Sequence, residues 1–377
     1  FTGSEATAVG SGAADALTSG AGNSAFGRLA LSTSINGINN TAVGRAALGN
    51  ADCADNNTGV GFEALNVFTG SDAVAIGSGA ADVAVSQTYL TAIGKNALGA
   101  ATSGNYNTAV GHTSLAATIN GYNNTAVGSS ALGTADCGNE NTAVGKDALK
   151  IFTGGAATVV GSMAAPAATN AGYLTAVGYN AAGALSLYTN LTAGNYNTAV
   201  GHAAGQDVYG GSNTLIGRYA GIYASNTNSC IAIGNTALAG PAPFTDATCD
   251  TGSNTTVACG SSSTIAVGQY VTGSGIPAGT TVATVNSAGS VTSFTISQAA
   301  TTSLTDTTLT FWGNTGDNNI AIGHNTMDAI TTGTRNVAIG SGSTTTLSSG
   351  DDTVAIGHDA LSAFTGSDAT AIGSYAA

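Results

Sequence analysis

Asn40-Thr41-Ala42-Val43-Gly44-Arg45-Ala46-Ala47-Leu48 has near copies from one end of the chain to the other. Its glycine reappears at Gly10, Gly27, Gly44, Gly61, Gly77, Gly94, Gly111, Gly128, Gly145, Gly161, Gly178, Gly201, Gly217, Gly234, Gly323, Gly340, Gly357 and Gly373. That is eighteen units, mostly 17 and sometimes 16 residues apart, with one step of 23 and one long gap. A short fixed period signals a stacked repeat fold. It overrides the two or three domains that 377 residues would otherwise suggest.

The units can be compared column by column, with the glycine as position 0. Position −1 is Val or Ile in every unit but the second, where it is Phe26, and +4 is Leu in about half of them. Position −3 is often Thr or Val, and β-branched residues repeating with period two read as a strand. Val43, Leu48, Val127, Leu132 and Ile339 are therefore expected to form the core. Position −2 is Ala in fifteen of the eighteen units. A second face that is also small and apolar suits close approach of another sheet, so Ala42, Ala92, Ala126 and Ala338 are assigned to subunit packing. Position −4 is Asn in ten units, read as a turn residue that opens the strand, with some ladder bonding between stacked amides. The glycine marks a place that needs positive φ or has no room for a Cβ.

Only 7% of residues are charged, 55 are glycine and 43% are hydrophobic, largely as small Ala and Val. This argues against a charged disordered tail, and the lack of a long apolar run argues against a membrane span in this segment. The net charge of −13 disfavours nucleic acid and anionic membranes as partners. Phe1-Thr2-Gly3-Ser4 and Phe364-Thr365-Gly366-Ser367 share one register, so the array is expected to begin and finish without distinct capping units. Cys53 and Cys137 occupy the same place in units five apart, ~24 Å at one rung per ~4.8 Å, and cannot pair within the chain. Cys249 and Cys259 could close a hairpin-like loop, which would imply an oxidising compartment.

A longer similarity overlies the short one, since Asn40–Thr58 returns as Asn124–Thr142, 84 residues later. The unit ending at Gly201 is stretched by six residues around Tyr188-Thr189-Asn190-Leu191, expected to project as a loop. The pattern stops after Gly234 and resumes at Gly323. The organisation is therefore a repeat array over 1–239, a small inserted β domain over 240–317, and the array again over 318–377. Strands in the insertion are expected at Ser263–Val267, Thr280–Val285, Val291–Ile296 and Thr307–Trp312, with a turn at Ile276-Pro277-Ala278-Gly279. Trp312, the single tryptophan, is read as local core ahead of a binding anchor.

The strings NTAVG-x-x-AL, AVAIG and NVAIG resemble the head repeats of trimeric autotransporter adhesins and the similar arrays of bacteriophage tail fibres. The resemblance covers nearly everything outside the insertion. It implies a parallel, left-handed β-roll, three chains around one axis, and an extracellular, cell-surface or virion location. The units here are somewhat longer than is common in those heads, so longer outer loops are expected.

No GxSxG elbow, HExxH, P-loop or GGxGxD repeat is present, so the chain reads as a non-enzyme that calls for no cofactor. Position +1 holds all four histidines, His112, His202, His324 and His358, and five of the seven Lys and Arg residues, Arg28, Arg45, Lys95, Lys146 and Arg218. The plain reading is an exposed turn column paired with carboxylates such as Glu63, Asp147 and Asp359. The sharper one is a threefold site in which three copies of a histidine bind a metal or anion. The expectation is an all-β, parallel β-solenoid of about 18 rungs serving as a homotrimeric extracellular fibre or adhesin shaft. Loops and insertion would contact a cell-surface glycan or protein receptor. The competing expectations are a filament subunit stacking end to end and, more remotely, an ice-binding face. The latter is disfavoured because the −3 column alternates Thr with Val and Ile, as at Val74, Val337 and Ile231, and because that face is placed inward.

Overall fold

The computed structural model describes residues 5–377 apart from 135, 170–171, 184–195, 209, 225–226, 263–264, 266, 278–279, 287–290 and 314–315. Among the described residues the chain is all-β and contains no helix. Each repeat contributes one three-residue strand at positions −3 to −1. Ten such strands, Thr7–Val9 through Thr158–Val160, lie in a first unit (Phe1–Leu174). Eight more, Thr175–Val177 through Thr370–Ile372, lie in a second (Thr175–Ala377). Successive strands pair in parallel and in register, as in Thr41↔Thr58 and Val43↔Val60. The period therefore returns the chain to the same place one rung on, and the fold is a parallel β-solenoid. The longer step before Gly201 leaves the register Thr198↔Thr214 intact. Tyr188–Leu191, where a projecting loop is expected, lies outside the described residues.

The facing of the strand is the reverse of the sequence expectation. Ala42, Ala92, Ala126 and Ala338 are fully buried inside the roll, whereas Val43 and Val127 are 37% and 36% exposed and Ile339 is half-buried. Leu48 and Leu132 are core as expected. The reason is the thinness of the rung: the +4 leucine comes back across the interior and leaves room for nothing larger than a methyl at −2. At Gly59, the −2 residue of its unit, an added Cβ would lie 3.4 Å from Leu48 Cγ. Where −2 is large the opposite position shrinks. The side chain of Leu215 fills the space that a Cβ on Gly205 or Gly221 would need, with its methyl carbons 3.0 and 2.7 Å from those positions. Interiors are filled to crystal-like density, so the two columns must trade volume.

Hydrogen bonds tie the rungs together outside the strands. Positions −5, +2 and +4 are left-handed without being glycine, as in Asn39 (φ 57°), Ala46 (56°) and Leu48 (49°). Their N–H groups then point along the stack, Ala46 to Arg28 O of the preceding rung at 3.0 Å and Leu48 to Ala64 O of the following rung at 2.9 Å. Inter-rung bonding thus offsets a backbone conformation that costs ~1–2 kcal/mol per residue. The −4 asparagines are buried and act as clamps: Asn40 Oδ1 accepts from Asn57 N–H at 2.9 Å while its Nδ2 donates to Ala54 O at 2.9 Å. The expected amide ladder is therefore mainly a side-chain to main-chain ladder. Among the described residues one amide-to-amide bond joins two of these asparagines, Asn336 Nδ2 to Asn319 Oδ1 at 3.1 Å.

The insertion belongs to the second unit. It is a six-stranded antiparallel sheet of Phe244–Thr251, Thr256–Ser262, Tyr270–Gly273, Val282–Val285, Val291–Ile296 and Leu304–Trp312. Val291–Ile296 matches the expectation, and two other expected strands overlap observed ones. Ile265 and Val267 are not in a strand, and the rest of Ser263–Val267 lies outside the described residues. The repeat ladder resumes across the insertion, Ile231↔Ile320. The Cys249 and Cys259 sulfurs are bonded to each other, against a core that includes Val257, Phe294, Leu309 and Phe311. Replacing both cysteines with serine is expected to destabilise this sheet by ~2–3 kcal/mol, measurable by calorimetry as an earlier transition for the inserted sheet.

Candidate functional site

Reversal of the strand puts two apolar columns on the outside. Position −1 presents Val9, Phe26, Val43, Ile76, Ile93, Val127 and Val160 in the first unit, all at least 36% exposed. In the second it presents Val177, Ile216, Ile233 and Ile372. Beside them position −3 carries half-exposed Thr41, Thr58, Val74, Thr91, Thr108, Thr125 and Thr142. Neither column contains a charged residue in any of the eighteen units. Exposed branched side chains at a ~4.8 Å repeat along a parallel ladder make a continuous apolar surface in each unit. Such surfaces on soluble chains mark contact sites.

The +1 column is exposed, as the plain reading expects. Lys146 pairs with Asp147 at 3.1 Å and His358 with Asp359 at 3.3 Å. The neighbouring Lys146 and Lys150 hold the Asp147 carboxyl below its ordinary range against the opposing effect of burial. Arg45 lies over the Phe62 ring at 5.0 Å instead of against Glu63. His202 stacks on Tyr179 at 5.5 Å and meets Tyr219 edge-on at 5.2 Å.

Within the second unit one chain does not gather the histidines. His324 and His358 are two rungs apart, ~10 Å, and His202 and His324 three rungs, ~14 Å, whereas ligands of one ion each lie within ~2.1 Å of it. Among the described residues the single grouping with metal-ligand atoms is Asp246, Cys249 and Cys259. Its two sulfurs are joined in the disulfide and offer no thiolate. The other three cysteines, Cys53, Cys137 and Cys230, are unbonded and buried. Burial pushes the thiols of Cys137 and Cys230 up to about 11, which makes them core residues and not nucleophiles. The side chain of Trp312 lies outside the described residues.

The outward facing of −1 is the surface feature that column reading missed. The available signal was the volume trade between −2 and +4, in particular Leu215 opposite Gly221. Compared with models of protein families, with curated proteins and with solved structures, the chain matches none.

Proposed function

We propose that the chain is a non-enzymatic fibre shaft, homotrimeric and extracellular, whose copies associate through the outward −1 and −3 columns. The observation that carries the reading is an uncharged, β-branched face left open along the strands of each unit. A partner that follows it rung for rung needs the same ~4.8 Å rise, and a second copy of this chain has it by construction. Covering a Val or Ile that is already partly buried contributes ~0.5–1 kcal/mol per rung. Ten rungs of the first unit then supply on the order of 5–10 kcal/mol per chain, enough to oppose the entropy lost on association. Threefold closure is what the resemblance to adhesin heads and tail fibres suggests, and display from three chains multiplies weak contacts.

Light scattering coupled to size exclusion tests this. The wild type is expected at three times the 36.1 kDa chain mass. Ile76→Lys with Ile93→Lys is expected to yield 36.1 kDa monomers with unchanged circular dichroism, because both side chains already face outward. A wild type that is monomeric at micromolar concentration overturns the reading.

A second reading rests on the same face. The −3 threonines point outward, which removes one of the two reasons for disfavouring an ice-binding surface and leaves the other, the Val and Ile residues that interrupt the column. Regular hydroxyls and methyls on a flat sheet could order water. This reading requires the face to be open, so it is supported by thermal hysteresis from a monomer and overturned by its absence.

A further inference from the structure

The turn column at −5 bears the most exposed aromatic side chains of the first unit. Its residues are left-handed, so their side chains leave the roll outward: Tyr89 (φ 56°), Tyr106 (61°), Glu140 (62°), Ala156 (58°) and Tyr173 (56°). Tyr89 and Tyr106 stack at 5.1 Å. Tyr122, one residue before the column in its own unit, continues the line, and Tyr106, Tyr122 and Tyr173 are 56%, 44% and 60% exposed. Two adjoining depressions lie along it. One of ≈ 430 Å³ is lined by Tyr106, Tyr122 and the amides of Asn105, Asn120 and Asn123. The other, of ≈ 510 Å³, runs from Tyr122 past Asn139 and Glu140 to Tyr173. Small residues, Ala156 with Gly138, Gly154, Gly155 and Gly172, make up half of the lining of the second.

Hydrogen bonds from main-chain N–H groups hold this edge in place. Tyr122 N–H donates to Asn139 Oδ1 at 3.0 Å, Glu140 N–H to Tyr122 O at 3.1 Å and Ala156 N–H to Asn139 O at 2.9 Å. The walls are therefore fixed relative to one another before any ligand arrives, which limits the ordering cost of binding.

We propose that the edge from Tyr106 to Tyr173 binds an extended, neutral glycan. Exposed tyrosine rings alternating with amides and a carboxylate suit a ligand with C–H faces and hydroxyl rims. An apolar ligand would strand the amides and Glu140, and a flat heteroaromatic would leave most of the row uncovered. Tyr122 and Tyr173 are three rungs apart, ~14 Å, and a chain of hexopyranoses advances by about one rung per sugar, so successive sugars meet successive rungs of the edge. Glu140 and the net charge of −13 select against sialylated or sulfated chains. The biological sense of the site rests on the reading of the chain as a surface-contacting shaft, but its chemistry does not. The −5 turns are separate from the −1 and −3 columns.

Calorimetric titration of the full chain with maltohexaose, xylohexaose and chitohexaose, and with an oligomer of sialic acid as the anionic control, tests the site. At least one neutral hexasaccharide is expected to bind with a Kd between about 10 μM and 1 mM, the weak range in which avidity is useful, and the anionic control is expected not to bind. Tyr122→Ala and Tyr173→Ala are each expected to weaken binding about tenfold, while Tyr122→Phe, which keeps the ring, retains it. Circular dichroism and oligomeric state should stay as in the wild type. Absence of binding by all three neutral probes, preference for the anionic one, or insensitivity to both alanine variants overturns the proposal. A monomer that binds sinks the trimeric shaft and keeps the site; a trimer that does not bind does the reverse.

Discussion

Gly111→Ala is expected to destabilise the first unit by ~3–5 kcal/mol. The position has φ 139°, outside the range that side chains tolerate, at a cost of ~1–3 kcal/mol. The added Cβ would also lie 2.5 Å from Gly128 O and 2.6 Å from Gly128 C. Those atoms are main chain of the next rung, so no side-chain rotation relieves the contact and two rungs must separate locally. Gly373 has nearly the same backbone, φ 133°, but its Cβ would meet only Ala376 Cβ at 3.8 Å. Gly373→Ala should therefore cost the torsional part alone, and the difference between the variants isolates the stacking clash. Because each rung contacts only its neighbours, damage at Gly111 should divide the cooperative unit. Hydrogen exchange is then expected to speed up most in the strands Thr108–Val110 and Thr125–Val127. Equal losses of stability for both variants would mean that the stack tolerates a side chain at the glycine column.

These contacts also explain what was legible in the chain and what was not. Period, strand position and the need for glycine follow from one-rung geometry, and all eighteen three-residue strands fall where the repeat predicts. Facing does not follow from alternation, because a strand with Thr, Ala and Val at −3, −2 and −1 has no polar side to mark the outside. Hydrophobicity ranks Val43 above Ala42 for burial, but size decides, since Leu48 already occupies the interior. Leu215 facing Gly205 and Gly221 is the place where the chain states this rule openly. The surface edge was harder still. Tyr106, Tyr122 and Tyr173 are many residues apart in sequence and join into one row only once the rungs stack, Tyr106 and Tyr173 from left-handed turns at −5 and Tyr122 from the residue before one. In the insertion the pairing of Cys249 with Cys259 was open in the sequence, and the hairpin that brings them together involves Phe244–Thr251, a strand that periodicity did not suggest.

Asn107→Ala should be about as damaging as Gly111→Ala, by a different route. Asn107 is fully buried; its Oδ1 accepts from Asn124 N–H at 2.9 Å and its Nδ2 donates to Gly121 O at 2.7 Å. Removing the amide strands one donor and one acceptor of the next rung in the interior. At ~1–3 kcal/mol for each unsatisfied group, the expected loss is ~2–6 kcal/mol. Asn107→Asp separates the accepted bond from the donated ones, of which Nδ2 makes a second, to Gly104 O at 3.1 Å. An ionised carboxylate still accepts from Asn124 N–H but faces the Gly121 carbonyl with no proton to give, so its folded pKa should rise above the unfolded ~3.9. A carboxyl with a raised folded pKa is stabilised below the unfolded value, and that contribution is lost as pH rises through the folded pKa. The variant should therefore approach the wild type at pH 3–4, where the protonated acid can donate to Gly121 O, and fall behind it by several kcal/mol near neutrality. Urea denaturation of both proteins across that range measures the difference at each pH and cancels titrations they share. A deficit that does not change with pH would mean that the side chain works by shape, and that the bond to Gly121 contributes little to holding one rung on the next.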